Sequence, residues 1–456
     1  MCNVFTITSE EQFKKIKFKK DSVCVVDILM LNNFEFPTIN KKGILFIYLD
    51  EKFYQIGIGH PDLITLDINN VLNFIFDHVD NVQSKFVFNV KKISHIDERF
   101  LKFNCIDTYT HVKHGEIVER DSTLCHNFFE TRYKNKLINF IIPASKHMEC
   151  FIHSVNTIDI PSVTELIEPG YRSVIRDVIP QLFNIEKNGM FINREKFNSH
   201  FSDKYIGDVQ SDLVYSNYNV WSATGRPSNT NQGINFAALD KSTGERSCFT
   251  SRYGKDGILV LFDFRAYHPR LLAKLTNFNI PSTVDDVYTW LSTQILKKDI
   301  LTKEEISSCK GSIFQQLYGK IEDKNLKIPY FKAIQDYMDQ RWKFFLDNGY
   351  VDTPIYKRAI TSNHIKGAFS NKVTNYILQA YETERNCEIM KMLSEFLKDK
   401  KTIPILYSYD SILFDFNKFD KKDTIINIKT IMESDGFPVT IKVGSDFQDM
   451  KNMQIS

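Results

Sequence analysis

At 456 residues the chain is long enough for two or three domains with sizeable cores, and its 43% hydrophobic and 25% charged residues are those of an ordinary folded protein. A formal net charge of only +2 excludes a global basic field, so any nucleic-acid groove must be a local gathering of Lys and Arg offset by acids elsewhere. No apolar run approaches the ~20 residues that cross a bilayer, no secretory pattern opens the chain, and eight Cys without a Cys-x-x-Cys pair point to reduced thiols in a cytosol-like compartment rather than a zinc or disulfide framework.

In chain order, residues 1–150 alternate short apolar runs with helix-like segments, which predicts an α/β unit with strands at Ser22–Ile28, Gly43–Leu49, Phe53–Gly59 and Ser84–Phe88. Pro143, Pro161 and Pro169 punctuate a connection, after which an amphipathic helix and a short strand are expected between Tyr171 and Phe197. The apolar run Ile258 to Phe262 reads as a buried strand that delivers Asp263 at its end, and a helix-like segment carrying Arg270 follows at once. Far downstream, Asp410 lies between two apolar runs in Ile403-Pro-Ile-Leu-Tyr-Ser-Tyr-Asp-Ser-Ile-Leu-Phe-Asp415. A lone Asp more often caps a strand or turn, but two acids on adjacent strand ends can hold a pair of divalent ions, the arrangement that suits phosphoryl transfer. Between the acids, Lys310 and Phe314 share a helix face at (i, i+4), with Tyr318 one turn further, and Asn375 and Gln379 form a second such pair.

Other motifs surround these acids. Upstream come Trp221-Ser-Ala-Thr-Gly-Arg-Pro-Ser-Asn229, Gln232-Gly-Ile-Asn235 and Gly244-Glu-Arg-Ser-Cys-Phe249; between the acids come Asp286-Val-Tyr288, Lys310-Gly-Ser-Ile-Phe-Gln-Gln-Leu-Tyr-Gly319, Gly349-Tyr-Val-Asp-Thr353 and Asn375-Tyr-Ile-Leu-Gln379. In this order they resemble the family A DNA polymerases, relatives of bacterial DNA polymerase I, over roughly the last half of the chain. The resemblance implies a chain of α/β and α+β class, with an RNase H-like, 3′–5′ exonuclease-type domain at 1–150 and a connector with a vestigial thumb at 151–220. A right-hand palm and fingers follow, with palm at 221–275, fingers at 276–370 and palm again at 371–456. It implies template-directed DNA synthesis with two Mg²⁺ ions on Asp263 and Asp410, on primer-template DNA and deoxynucleoside triphosphates as partners.

The same resemblance distributes the remaining roles. Lys310 meets the incoming phosphates, Phe314 packs on the sugar and Tyr318 abuts the templating base. His268 stands where relatives carry a sugar-selecting Glu, Tyr288 where they carry a phosphate-contacting His, and Arg270 or Lys303 helps Lys310 with the triphosphate. Arg226, Asn235, Arg246, Asn375 and Gln379 line the duplex near the primer end.

The chain departs from the family at Ile306, Tyr409 and Ser411, where a second cation, a His and a third acid are usual. In the first region Asp27 is followed by Ile28 and Leu29 instead of a second acid, and Ile93 replaces another, so no proofreading is expected; a shifted acid set of Asp50, Glu51 and Asp107 is the alternative. The thumb is too short to grip DNA strongly, which implies a processivity or thumb-substituting protein partner. A cytosolic setting, a viral host's cytoplasm or an organelle fits this plan, as does a compact phage-type replisome. The competing readings are a catalytically silent, polymerase-shaped scaffold and an RNA polymerase of the same palm type.

Overall fold

Short runs of β-branched and aromatic residues set the first sheet, and they do so close to where the sequence marks them. Its strands are β1 (Asn3–Ile7), β2 (Val23–Met30), β3 (Gly43–Leu49), β4 (Lys52–Ile58), β5 (Ser84–Val87) and β6 (Ile106–Asp107), in the order β1-β4-β3-β2-β5-β6. These coordinates are a computed structural model that describes residues 2–30, 42–79, 81–87, 89–103, 105–107, 110–113, 116–119, 143–156, 173–205, 212–220, 222–231 and 233–454. Strands β2, β3 and β4 run antiparallel in sequence, whereas β5 joins β2 and β6 joins β5 in parallel. The β3–β4 hairpin turns on Asp50 and Glu51, at φ 47° and 65°. Two successive left-handed residues match the right-handed twist of the strands they join.

Helix α1 (Ile68–Val79) buries Val71, Leu72, Ile75 and Val79, the i, i+4, i+8 stripe of an amphipathic helix. Helix α2 (Ala144–Asn156) lays Ala144, Met148, Phe151 and Val155 against Val25, Phe46, Phe53 and Phe86, with the Phe46 and Phe151 rings stacked at 5.2 Å. This first compact unit spans Met1–Phe183; the second is built from Asn184–Tyr205 and Val209–Ser456.

In the second unit the elements follow as β7 (Gly257–Phe264), α3 (Tyr267–Leu275), α4 (Val287–Leu296), α5 (Lys303–Tyr318), α6 (Pro329–Asn348), α7 (Ser370–Phe396), β8 (Ile403–Ser408), β9 (Ser411–Asn417), α8 (Lys421–Met432), β10 (Val439–Gly444) and β11 (Lys451–Asn452). One antiparallel sheet, ordered β8-β9-β7-β10-β11, gathers the strands from both ends of this stretch, with β7 at its centre. Alternation along β7 sends Leu259 and Leu261 into a core shared with Met190, Ile192, Phe197, Phe201 and Leu413. The opposite face carries Phe262, edge-on to Phe414 at 5.4 Å, and Phe264, stacked on Tyr267 at 4.4 Å.

Helices α4 and α5 begin on well-formed caps. Asp286 accepts from the Tyr288 amide, and Thr302 with Glu305 makes a reciprocal capping box. Helix α7 has no apolar stripe, because it is enclosed: Glu382, Thr383, Glu384, Arg385 and Asn386 are all buried in succession. Ahead of β7, the described residues include the strand Met190–Ile192 and the eight-residue helix Arg194–Phe201. No helix among the described residues is long and apolar enough to cross a membrane, and the described cysteines are free thiols.

Candidate active site

Strand register brings the two acids together. Asp263 pairs with Ser411 across the β7–β9 ladder, and Asp410 directly precedes Ser411 in the two-residue turn between β8 and β9. The Phe264 amide donates to the Asp410 carbonyl at 2.8 Å, so the turn is stitched to the end of β7. Tyr409, the other turn residue, takes φ 57°. Asp410 is open to solvent on one side, yet the protein mass hemming in its carboxyl pushes its pKa up to about 6, with the negative charges of Asp263 and Glu382 adding to that rise and His268 opposing it.

Asp263 is also engaged within the protein. Lys442 stands diagonally across from it on β10, and its Nζ donates to Asp263 Oδ2 at 2.8 Å. Both side chains remain about one-third exposed, 30% for Asp263 and 32% for Lys442, so the contact is open to exchange with a ligand. Among the described residues no group of three or more His, Cys, Asp and Glu side chains clusters as a metal site. Two neighbouring carboxylates nevertheless fit Mg²⁺, which keeps several waters and is held through one or two carboxylates plus substrate phosphates. A cation between them would offset both the burial that chiefly raises Asp410 and the smaller contribution from the Asp263 charge.

Residues of α4 and α5 form a continuous ladder beside these acids. Lys310 Nζ lies 4.9 Å from the centre of the Tyr288 ring, Tyr288 stacks on Phe314 at 5.5 Å, and Phe314 lies parallel to Tyr318 at 6.0 Å. Burial holds the Tyr288 and Tyr318 phenols well above their usual range, and each also senses the charge of Asp410. The sequence expectation of one helix face for Lys310, Phe314 and Tyr318 therefore has a geometric counterpart, and Tyr288 joins it from α4. The Tyr318 hydroxyl hydrogen-bonds His268 Nδ1, and His268 Nε2 lies 2.8 Å from Glu382 Oε1.

Several residues expected to touch DNA or nucleotide have protein partners. Arg226 donates to Glu382 Oε2 at 2.7 Å and lies over the Tyr409 ring at 3.6 Å. Arg270 donates to the carbonyls of Arg265, Val284 and Asp285, which ties α3 to the loop before α4. Arg246 donates to the Leu239 carbonyl and sits over Phe447, while exposed Asn235 caps a short 3₁₀ turn through the Ala237 amide. Asn375 donates to the Tyr318 carbonyl, and its own Oδ1 is buried without a partner; Gln379 is half-buried one turn along α7.

Four contributors escaped the sequence reading: Glu382, Lys442, Asn386 and Arg385. Asn386 donates to the Tyr409 carbonyl at 2.6 Å and the Tyr407 hydroxyl at 3.1 Å, and accepts from the Tyr267 hydroxyl at 2.7 Å, so a buried amide fixes the turn that presents Asp410. Arg385 in turn donates to the Tyr267 hydroxyl at 2.9 Å. Each sits on α7 or β10 at a position whose local sequence carries no distinguishing signal; the nearest hint is the run of charged residues Glu382-Thr-Glu-Arg385 near the middle of α7.

Asp50 accepts from Ser22 Oγ at 2.6 Å and the Val23 amide at 3.2 Å, at the starting end of β2 and on its β3 side. Asp107 aligns with Val87, which aligns with Val26, on the other side of β2. Ile93, where an acid was sought, is fully buried. Phe88, the expected end of the fourth strand, lies outside the described residues, as do Trp221 and Gln232.

No model of a known protein family matches the chain, and no curated protein matches it. Among solved structures, the POL domain of Pol1 from M. smegmatis, in complex with DNA primer-template and dNTP, aligns with a TM-score of 0.65 at 14% identity, over 98% of this chain and 99% of that one. At this identity the likeness is one of fold: a mixed α/β chain with the architecture of a DNA polymerase domain.

Proposed function

We propose that the chain is a template-directed DNA polymerase of the family A type, adding deoxynucleotides to a primer 3′ end. The observation that carries this reading is the meeting of Asp263 and Asp410 at the end of one antiparallel sheet, beside the Lys310–Tyr288–Phe314–Tyr318 ladder. The DNA- and dNTP-bound POL domain that shares the fold supports it.

Asp263 and Asp410 would hold two divalent cations, in the simplest case Mg²⁺, which would activate the primer hydroxyl and offset charge building on the α-phosphate. The 3′-oxygen attacks that phosphorus, a new P–O bond forms, and pyrophosphate departs. Exposed Lys310 is aimed to neutralise the departing phosphates, and Phe314 and Tyr318 offer flat apolar surface to sugar and base. Asn375 and Gln379 are candidates to face the duplex, where polar groups test shape more than sequence. Primer extension by the purified chain tests this directly. Asp263→Asn and Asp410→Asn should each lose on the order of 10³-fold in rate, about 4 kcal/mol of barrier. Wild-type rates in either variant would refute the reading.

The first unit is proposed as a proofreading fold without hydrolysis, since Asp27 is followed by Ile28 and Leu29 and Ile93 replaces another acid, leaving too few carboxylates for paired ions. A short thumb segment and a near-neutral net charge of +2 favour weak, salt-sensitive DNA retention and a partner that supplies the grip. A silent scaffold is the second reading, and the Lys442 ammonium on Asp263 is the observation in its favour. The same extension assay separates the two.

A further inference from the structure

Glu382 is the least expected charge in the site. Its carboxylate is only 1% exposed, and an ionised group so buried is tolerated only where donors answer it. Two do: Arg226 Nε at 2.7 Å on one oxygen and His268 Nε2 at 2.8 Å on the other. A carboxylate is acceptor-only, so His268 Nε2 must carry the proton that faces it. In the neutral ring Nδ1 is then the acceptor, and the Tyr318 hydroxyl donates to it. One buried carboxylate thus dictates the tautomer of His268, the plane of its ring and the direction of the Tyr318 hydroxyl. Tyr318 closes α5, and its ring lies within 2° of parallel to Phe314, so the orientation is passed to the surface where sugar and base would rest.

We infer that Glu382 is a positioning residue for sugar selection: it locks His268 upright beside Tyr318, so that the imidazole occupies the space a ribose 2′-hydroxyl would need. This rests on the polymerase reading above, and it adds a residue that acts through His268 without touching the nucleotide. The link spans three separate elements, α7, α3 and α5, so the gate is as rigid as the packing between them. Without the acceptor, the imidazole can exchange tautomers and swing, and the space opens.

The test compares single-nucleotide insertion of deoxy- and ribonucleoside triphosphates by wild type, Glu382→Gln, His268→Ala and the double variant. The near-isosteric Glu382→Gln should raise kcat/KM for the ribonucleotide by about tenfold, roughly 1.4 kcal/mol of lost discrimination. A gain of this kind is a readout that general damage to the fold would not produce. The double variant should discriminate no worse than His268→Ala, because both changes remove the same gate. Long-range ¹H–¹⁵N spectra of the imidazole should show one Nε2–H tautomer in wild type and a mixture in Glu382→Gln, a measurement independent of turnover. Primer extension with an unchanged ribonucleotide ratio in Glu382→Gln, or additive losses in the double variant, would overturn the assignment while leaving the polymerase reading intact. A wild-type chain that extends no primer removes that reading and the gate with it.

Discussion

Replacing Asp410 by Asn should make the protein more stable at neutral pH while abolishing its chemistry. The Asp410 carboxyl is raised from 3.8 to about 6, first by burial, then by Asp263 and Glu382. Between those two values the folded chain holds a proton that the unfolded chain has released, so stability declines as pH climbs through this window, and above it the charged form stands as a fixed cost. A rise of about two pH units corresponds to about 3 kcal/mol at most, and because one side of Asp410 is open to water, screening reduces this to about 1 kcal/mol. For a unit of this size that is a gain of about 2 °C in melting temperature at pH 7.5. At pH 5 the gain should shrink by about half, since the unfolded carboxyl is still ionised there while the folded one is not. Thermal melts of both proteins across this pH range, in chelator, measure it. A melting temperature for Asp410→Asn that equals or falls below wild type at pH 7.5 would mean that the charged Asp410 carboxylate costs the fold nothing, and the reasoning from burial and neighbouring acids would fail.

Three further outcomes follow from contacts elsewhere in the second unit. Lys442→Met removes the ammonium that holds Asp263, and Mn²⁺ titration followed by electron paramagnetic resonance should show binding about tenfold tighter than wild type, about 1.4 kcal/mol; unchanged affinity would make the lysine a bystander. Asn386→Ala strands the buried Tyr409 carbonyl and Tyr267 hydroxyl, so chemical denaturation should report a loss of about 2–3 kcal/mol, together with slower extension as the Asp410 turn loosens. His364, whose Nδ1 accepts from the Thr361 amide, has its pKa pushed down to about 4 by burial and then by Arg358. The unfolded chain therefore binds the extra proton first, and stability should drop as pH falls from about 6.5 toward 4, a dependence that His364→Gln should remove in acid melts.

The strands were legible in sequence because their signal is local. Gly43–Leu49 is observed with the bounds its apolar run predicts, and Ser22–Ile28 shifts only to Val23–Met30. Asp263 and Asp410 were legible for a related reason: each follows an apolar strand, and backbone register then decides where it goes. The Lys310, Phe314 and Tyr318 face needed only the period of a helix. Arg270 shows what local sequence leaves out, since its bonds to the carbonyls of Arg265, Val284 and Asp285 depend on how α3 meets the loop before α4.

What the amino-acid order determined alone is which residues could carry the chemistry and on which kind of element they ride. The tertiary structure alone decided what each one faces. Glu382 reaches His268 across 114 positions and Lys442 reaches Asp263 across 179, on a helix without an apolar stripe and on a strand beside its target. Periodicity reports the environment of one element, whereas the charge balance of a cleft is a sum over several elements that meet only when the chain folds.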